Sequence, residues 1–210
     1  MQPAPVTRRR DGLLRREALL DAALVCCTRS SVLRVGIEEI RREAGASPSS
    51  VYNLFADLNA LRLALLLRTF EQLFAHLTER VVGTRGARGA VFALVEAHLE
   101  WVLAHPAEAR YMYQATALEY EPEAAARLQE RKAALLAPVV HHVAPFVAAG
   151  DLPSWSVLAL DVSILGASHE ACRRYLAGAE LDPAWMRREL PQLAWAGILS
   201  ERRRARRAVT

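Results

Sequence analysis

Cysteine is scarce in this chain: three occur in 210 residues, at Cys26, Cys27 and Cys172. An odd count with one adjacent pair and no CxxC spacing is not a disulfide framework. A reducing interior is therefore expected. Lysine is nearly absent, since Lys132 is the sole example and every other cation is arginine. That bias reads as codon usage as much as chemistry, so arginine richness alone does not mark a phosphate site. Long apolar runs are missing as well. Charges interrupt the early stretch LLRREALLDAALVCC, which excludes a secretory signal there. A run such as ALLL before Arg68 is far too short to span a bilayer. No membrane partner is expected.

Catalytic and metal signatures are missing too. There is no HExxH, no GxSxG and no Cys/His set with zinc spacing. Adjacent His141 and His142 point to different sides of a helix. The pair His98 and Glu100 is likewise wrong for one helix face. GTRGARG at 83–89 lacks both the phosphate-loop spacing and a preceding strand. An enzyme would have to assemble its site from scattered residues. The sequence therefore predicts no enzyme, no metal and no cofactor.

What is present is an ordinary globular balance, 52% apolar and 24% charged. Net charge is +4, and it sits at the ends. Residues 1–62 carry a net +3, residues 201–210 a net +4, and the middle a net −3. That asymmetry points to an anionic partner for the ends, without naming it.

No apolar–polar alternation persists long enough for a strand, so an all-α fold is predicted. The first helix is expected over 12–29. Leu19, Ala22, Ala23, Cys26 and Cys27 follow the spacing of one buried face. IEEIRREA gives a short second helix with Ile37, Ile40 and Ala44 on one side. Gly45 suits the positive φ of a tight turn. Ser47 then reads as an N-cap with Pro48 at the first helical position. Asp57 caps a long helix to about Val82. Further helices are expected over 90–104, 107–119, 122–149, 154–177 and 183–204. Pro138 and Pro145 should bend or split the helix expected over 122–149, and Pro191 should kink the last.

Residues 37–55 thus read helix, tight turn, short helix, which is the helix-turn-helix arrangement. In that motif the second helix enters the major groove and offers its first residues to base edges. Ser47, Ser49 and Ser50 supply hydroxyls, and Tyr52 and Asn53 are the larger polar side chains. An ordinary helical hairpin with a serine cap fits the same periodicity, and the pattern alone leaves both readings open.

The stretch LLDAALVCCTRSSVLRVGIEEIRREAGASPSSVYNLFADLNAL resembles the N-terminal domain of the TetR family of bacterial transcriptional regulators. The resemblance lies in LDAAL on the first helix, an Ile on the second, AG-x-S at the turn, and then Y-x-x-F. It covers residues 19–61. LGASHEACRRYLAG at 165–178 resembles the penultimate helix of one group in the family, less specifically.

The resemblance implies a three-helix DNA-binding domain at 12–56, preceded by a basic arm at 1–11. A helical effector-binding and dimerisation domain follows at 57–204, then a basic tail at 205–210. It implies a cytoplasmic, ligand-responsive regulator, a repressor released from a palindromic operator by a small molecule. Ser47 matches the phosphate-touching cap of the recognition helix. Pro48, Ser49 and Asn53 match positions facing bases or backbone, and Tyr52 matches a phosphate-contacting tyrosine. Phe55 matches a core aromatic.

Departures stand beside these matches. Leu58 replaces a usual Lys, Arg41 a usual small residue, and Val35-Gly36 with Glu38 and Glu39 a usual hydroxyl and basic residue. Arg8, Arg9, Arg10, Arg15 and Arg16 are the obvious substitutes for the weakened phosphate clamp, if the arm is not simply a solvated tail. The departures also motivate an alternative, a helical dimeric interaction module with weak or lost DNA binding.

Two recognition helices must meet successive groove turns about 34–36 Å apart, which calls for a homodimer. Its interface is expected at Leu158, Val162, Leu165, Trp195 and Ile198 on the last two helices. His98, Trp101, Tyr111 and His169 are candidate lining for an effector pocket, although lone histidines and aromatics on apolar faces also serve as plain core. With no Arg or Lys cluster on these inner faces, the expected effector is lipophilic or aromatic.

Overall fold

The computed structural model describes the backbone of residues 5–208 and the side chains of residues 10–204. Nine helices occur among the described residues, and no strand. They are α1 (Pro5–Arg29), α2 (Ile37–Glu43), α3 (Pro48–Leu54), α4 (Leu58–Val81) and α5 (Gly86–Ala104). Then come α6 (Pro106–Ala115), α7 (Pro122–Ala148), α8 (Val157–Leu176) and α9 (Pro183–Ala208). The all-α class is the one the sequence predicts. No single helix among the described residues is long and apolar enough to cross a membrane.

Local chemistry sets most helix ends. The Ser47 hydroxyl accepts from the Ser50 N–H at 3.2 Å, with Pro48 in the first turn of α3. Asp57 caps α4 by accepting from the Ala60 N–H at 2.7 Å. Ser156 does the same for α8, and Asp182 for α9. Gly45 takes φ 60° between α2 and α3, a region that L side chains rarely adopt.

Several ends differ from the sequence expectation. α1 begins at Pro5 rather than residue 12, so the expected arm is helical from Pro5 onward. Proline is well suited to a first turn, and an interior glycine such as Gly12 costs only about 1 kcal/mol against alanine. α6 ends at Ala115, short of the expected 119, and α8 starts three residues later than expected, at Val157. α7 runs unbroken through Pro138 and Pro145. Each proline removes one donor, while the turns on either side keep theirs. Val139 is also anchored in a buried cluster with Val81 and Ala90.

Packing divides the chain into two compact units. The first joins residues 1–70 with 107–129, and the second joins 71–106 with 130–210. This grouping follows burial rather than chain order. Leu61, Leu65 and Leu66 on the early turns of α4 are at most 1% exposed, as are Ala109 and Ala115 of α6. In the first unit α1 packs on α2 and α3. Leu19, Leu20, Cys26 and Cys27 of α1 are buried, as are Ile40 of α2 and Val51 of α3. Burial pushes the Cys27 thiol up to about 11 and raises Cys26 too, so both remain protonated core side chains at neutral pH.

In the second unit α5, α8 and α9 pack on one another. The buried side chains include Leu99, Trp101 and Val102 of α5, Leu165 and Cys172 of α8, and Met186, Leu190 and Ile198 of α9. Ile198, at 1% exposed, is part of this core. Ile198→Ala should therefore lower the unfolding free energy in urea by about 2–5 kcal/mol, the usual cost of truncating a buried isoleucine. A loss below about 0.5 kcal/mol, the range of ordinary surface changes, would contradict this placement.

Candidate nucleic-acid interface

α3 separates its residues cleanly by exposure. Val51 is 1% exposed, and Phe55, just past the helix end, is 4% exposed. Ser47, Pro48, Ser49, Tyr52 and Asn53 are exposed, and Ser50 is half-buried. The aromatic ring of Tyr52 stands in solvent, although it could bury about as much apolar area as Phe55. The Ser47 and Ser49 hydroxyls lie 3.2 Å apart. One short helix therefore presents two hydroxyls, a phenol and a carboxamide together, all from residues that the sequence singles out.

The turn ahead of α3 is braced by Arg41, which the sequence marks only as a departure from a usual small residue. Arg41 donates to a Glu38 carboxylate oxygen at 2.8 Å and to the Ala46 carbonyl at 3.0 Å. It therefore clamps the turn between α2 and α3 and occupies one of the two acids that stand against an anionic partner. The Glu38–Arg41 spacing of three residues on a helix was the available signal. Arg29 likewise holds Glu43 through two hydrogen bonds, joining α1 to α2.

The basic substitutes fare unequally. Arg16 pairs with Glu17 and lies over the Phe55 ring at 5.6 Å, which commits it to packing. Arg15 donates to the Asp11 carbonyl. Arg10 is exposed. The side chains of Arg8 and Arg9 lie outside the described residues, as do those of the expected tail at 205–210. Leu58 is half-buried.

The expected pocket residues are divided between the two units. His98 (fully buried), Trp101 (3% exposed) and His169 belong to the second unit, whereas Tyr111 belongs to the first. Tyr111 donates its hydroxyl to the Arg62 carbonyl at 2.6 Å. Its burial raises the phenol far above its ordinary range. His98 and His169 meet edge to face with ring centroids 4.5 Å apart. Ser168, 1% exposed and next to His169 in sequence, was missed because a serine on an apolar helix face carries no pattern of its own. Among the described residues its hydroxyl has no hydrogen-bond partner.

The expected interface residues also divide. Leu158 and Val162 are 71% and 61% exposed, and Trp195 is half-buried. Leu165 and Ile198 are 4% and 1% exposed and face their own core. Leu158 and Leu165 lie about two turns apart on one helix stripe. The chain covers the later turns of that stripe and leaves the first ones open. Other exposed apolar side chains are Val157, Trp185 and Leu193.

The histidine contact has a pH consequence. Burial, with His169 adding to it, holds His98 down to about 3. Burial also lowers His169, with Lys132 adding to the effect and Asp161 opposing it. Both fall below the unfolded value near 6.5, so the unfolded chain binds more protons in acid. Stability from this pair is complete above about pH 6.5 and is lost as pH falls toward His98's value near 3. Thermal melting from neutral pH downward should show a steady loss in the native chain. The acid-side slope should be shallower in His98→Leu by about one proton, or about 1.4 kcal/mol per pH unit. Parallel profiles for the two chains would contradict the assignment.

No protein-family model matches the chain, and no curated protein matches it. Solved structures do match. A TetR family transcription regulator from Marinobacter aquaeolei VT8 superposes with a TM-score of 0.71 at 21% identity, over 91% of this chain and 98% of that one. A putative TetR-family regulator from Rhodococcus sp. gives 0.71 at 18% identity, over 88% of this chain and 98% of that one. The transcriptional regulator FadR from Bacillus subtilis, solved in complex with stearoyl-CoA, gives 0.72 at 14% identity, over 87% of this chain and 98% of that one. With α3 capped and displayed as described, and with these chains matched along nearly their whole length, this protein has the all-α fold of the TetR-family transcription regulators.

Proposed function

We propose that this chain is a TetR-type transcription regulator that binds a palindromic operator as a homodimer and is released by a small molecule. The observation that carries the reading is the capped α3, with Val51 buried beneath it and Ser47, Pro48, Ser49, Tyr52 and Asn53 exposed. A major groove admits one helix, and polar side chains on its first turns are the groups that read base edges. In this reading residues 12–56 are the DNA-binding domain and 57–204 the effector and dimer domain. Arg10 and its neighbours contribute phosphate contacts, and the protein acts in the cytoplasm.

The dimer forms on the outer side of α8 and α9. Leu158 and Val162 of α8 supply apolar surface that a lone chain leaves in water, and half-buried Trp195 of α9 joins them in the interface. Leu165 and Ile198 stay in each chain's own core. The effector binds in the second unit near His98, Trp101 and His169, with Ser168 as a further polar group. It is lipophilic or aromatic, because these helices bring no arginine cluster inward. The acyl chain of the stearoyl-CoA seen with the Bacillus subtilis regulator belongs to that class, whereas its phosphate-bearing CoA half does not. Such a ligand acts only if it binds the DNA-incompetent state more tightly.

Electrophoretic mobility of duplexes from the upstream intergenic DNA tests the reading. Asn53→Ala should relax preference at one base position by about 1–3 kcal/mol, the value of a side-chain base contact. Tyr52→Phe should weaken all duplexes alike, because phosphate contacts position without specifying. Unchanged binding in both variants would remove α3 from the interface. No retarded duplex at all would favour the alternative, an interaction module of the same fold. A paired Leu158→Asp, Val162→Asp variant should sediment as a monomer, and an unaltered dimer would move the interface elsewhere.

A further inference from the structure

α2 begins without a side-chain cap. Its N-cap is Gly36, in extended conformation at φ −101° and ψ 161°. A seven-residue helix with an uncapped start needs its entry fixed by something else. Residues 30–36, which lead from α1 into Gly36, are held from outside the helix-turn-helix. The Val32 N–H donates to the Gln114 side-chain oxygen at 3.0 Å. One Arg62 amino group, Nη2, donates to the Val32 carbonyl at 2.7 Å and the Val35 carbonyl at 3.1 Å. Tyr111 then donates to the carbonyl of Arg62 itself at 2.6 Å. Val32 and Val35 are 1% and 2% exposed, so these backbone groups have little access to water in which to find other partners. All of these groups lie within the first unit.

We propose that Gln114 and Arg62 are positioning residues for DNA reading: they latch the 30–36 connector and thereby set where α2, and α3 carried behind it, stand. The proposal rests on the DNA-binding reading above and adds two residues that touch no base. α3 follows α2 through the short turn at Gly45, which Arg41 braces. A connector that shifts therefore carries both helices with it. Only an acceptor satisfies the Val32 N–H, so the amide oxygen of Gln114 is the group that matters. Arg62 contributes a charged donor to two carbonyls at once, the strong form of such a bond. The long-range partner, Gln114, is supplied by α6, a helix that follows the motif by more than fifty residues of chain.

The test uses the full chain with Gln114→Met, which keeps the length and loses the acceptor, and Gln114→Glu, which keeps an acceptor. Two readouts are taken. One is amide hydrogen exchange over residues 30–36. The other is affinity for a duplex that the native chain selects from a random pool, against a scrambled duplex. In Gln114→Met, connector exchange should quicken and affinity for the selected duplex should fall about tenfold, while the scrambled duplex is bound as before. Gln114→Glu should recover the connector protection and the ratio of the two affinities. Exchange and affinity ratio both unchanged in Gln114→Met would overturn the proposal. Equal loss on both duplexes would overturn it as well, since that marks general damage rather than misplacement. A native chain that selects no duplex would overturn the DNA-binding reading and the positioning role with it. The exchange result, which needs no DNA, keeps that failure distinct from failure of the latch.

Discussion

A helix of seven residues does not hold together in water by itself, because nucleating a helix costs more than two turns return. α2 and α3 are both that short. Everything that makes α3 a presentable surface must therefore come from its surroundings. Below it, Val51 and Phe55 are buried. At its start, Ser47 and Pro48 supply the cap and a preset φ. Ahead of it, Gly45 makes the turn and Arg41 ties that turn to α2. These constraints leave the polar residues of α3 facing outward.

Charge is handled in the same economical way. Glu38 and Glu43 lie on α2, ahead of a helix read as meeting an anion. Arg41 and Arg29 occupy them through short ion pairs. Surface pairs of this kind contribute little to stability, typically below about 1 kcal/mol. The Arg29–Glu43 pair also ties α1 to α2. The second unit uses a different logic. Its core holds the buried His98 and Ser168 among aliphatic side chains, with half-buried His169 edge to face on His98.

Much of the fold was legible in the sequence because helices announce themselves by local chemistry. Ser47-Pro48, Asp57 and the apolar spacing of α1 act within one or two turns of themselves, and each appears where it was expected. Direction along a stripe was not legible. Leu158 and Leu165 share a helix face, and periodicity treats them alike, yet one is exposed and the other is core. Coverage depends on where the neighbouring helices end, which no window of sequence encodes. Long-range polar partners were equally hidden. Val32 and Gln114 are 82 residues apart, and no local pattern signals that the Tyr111 hydroxyl donates to the Arg62 carbonyl.

The central claim is that the exposed side of α3 is the surface that meets DNA. Amide resonances of the full chain, followed while a selected duplex is added, address it without any substitution. The account predicts that the largest early changes fall on residues 47–53, with the inner faces of α5, α8 and α9 little altered. A duplex that binds the chain and leaves residues 47–53 unmoved would contradict the account.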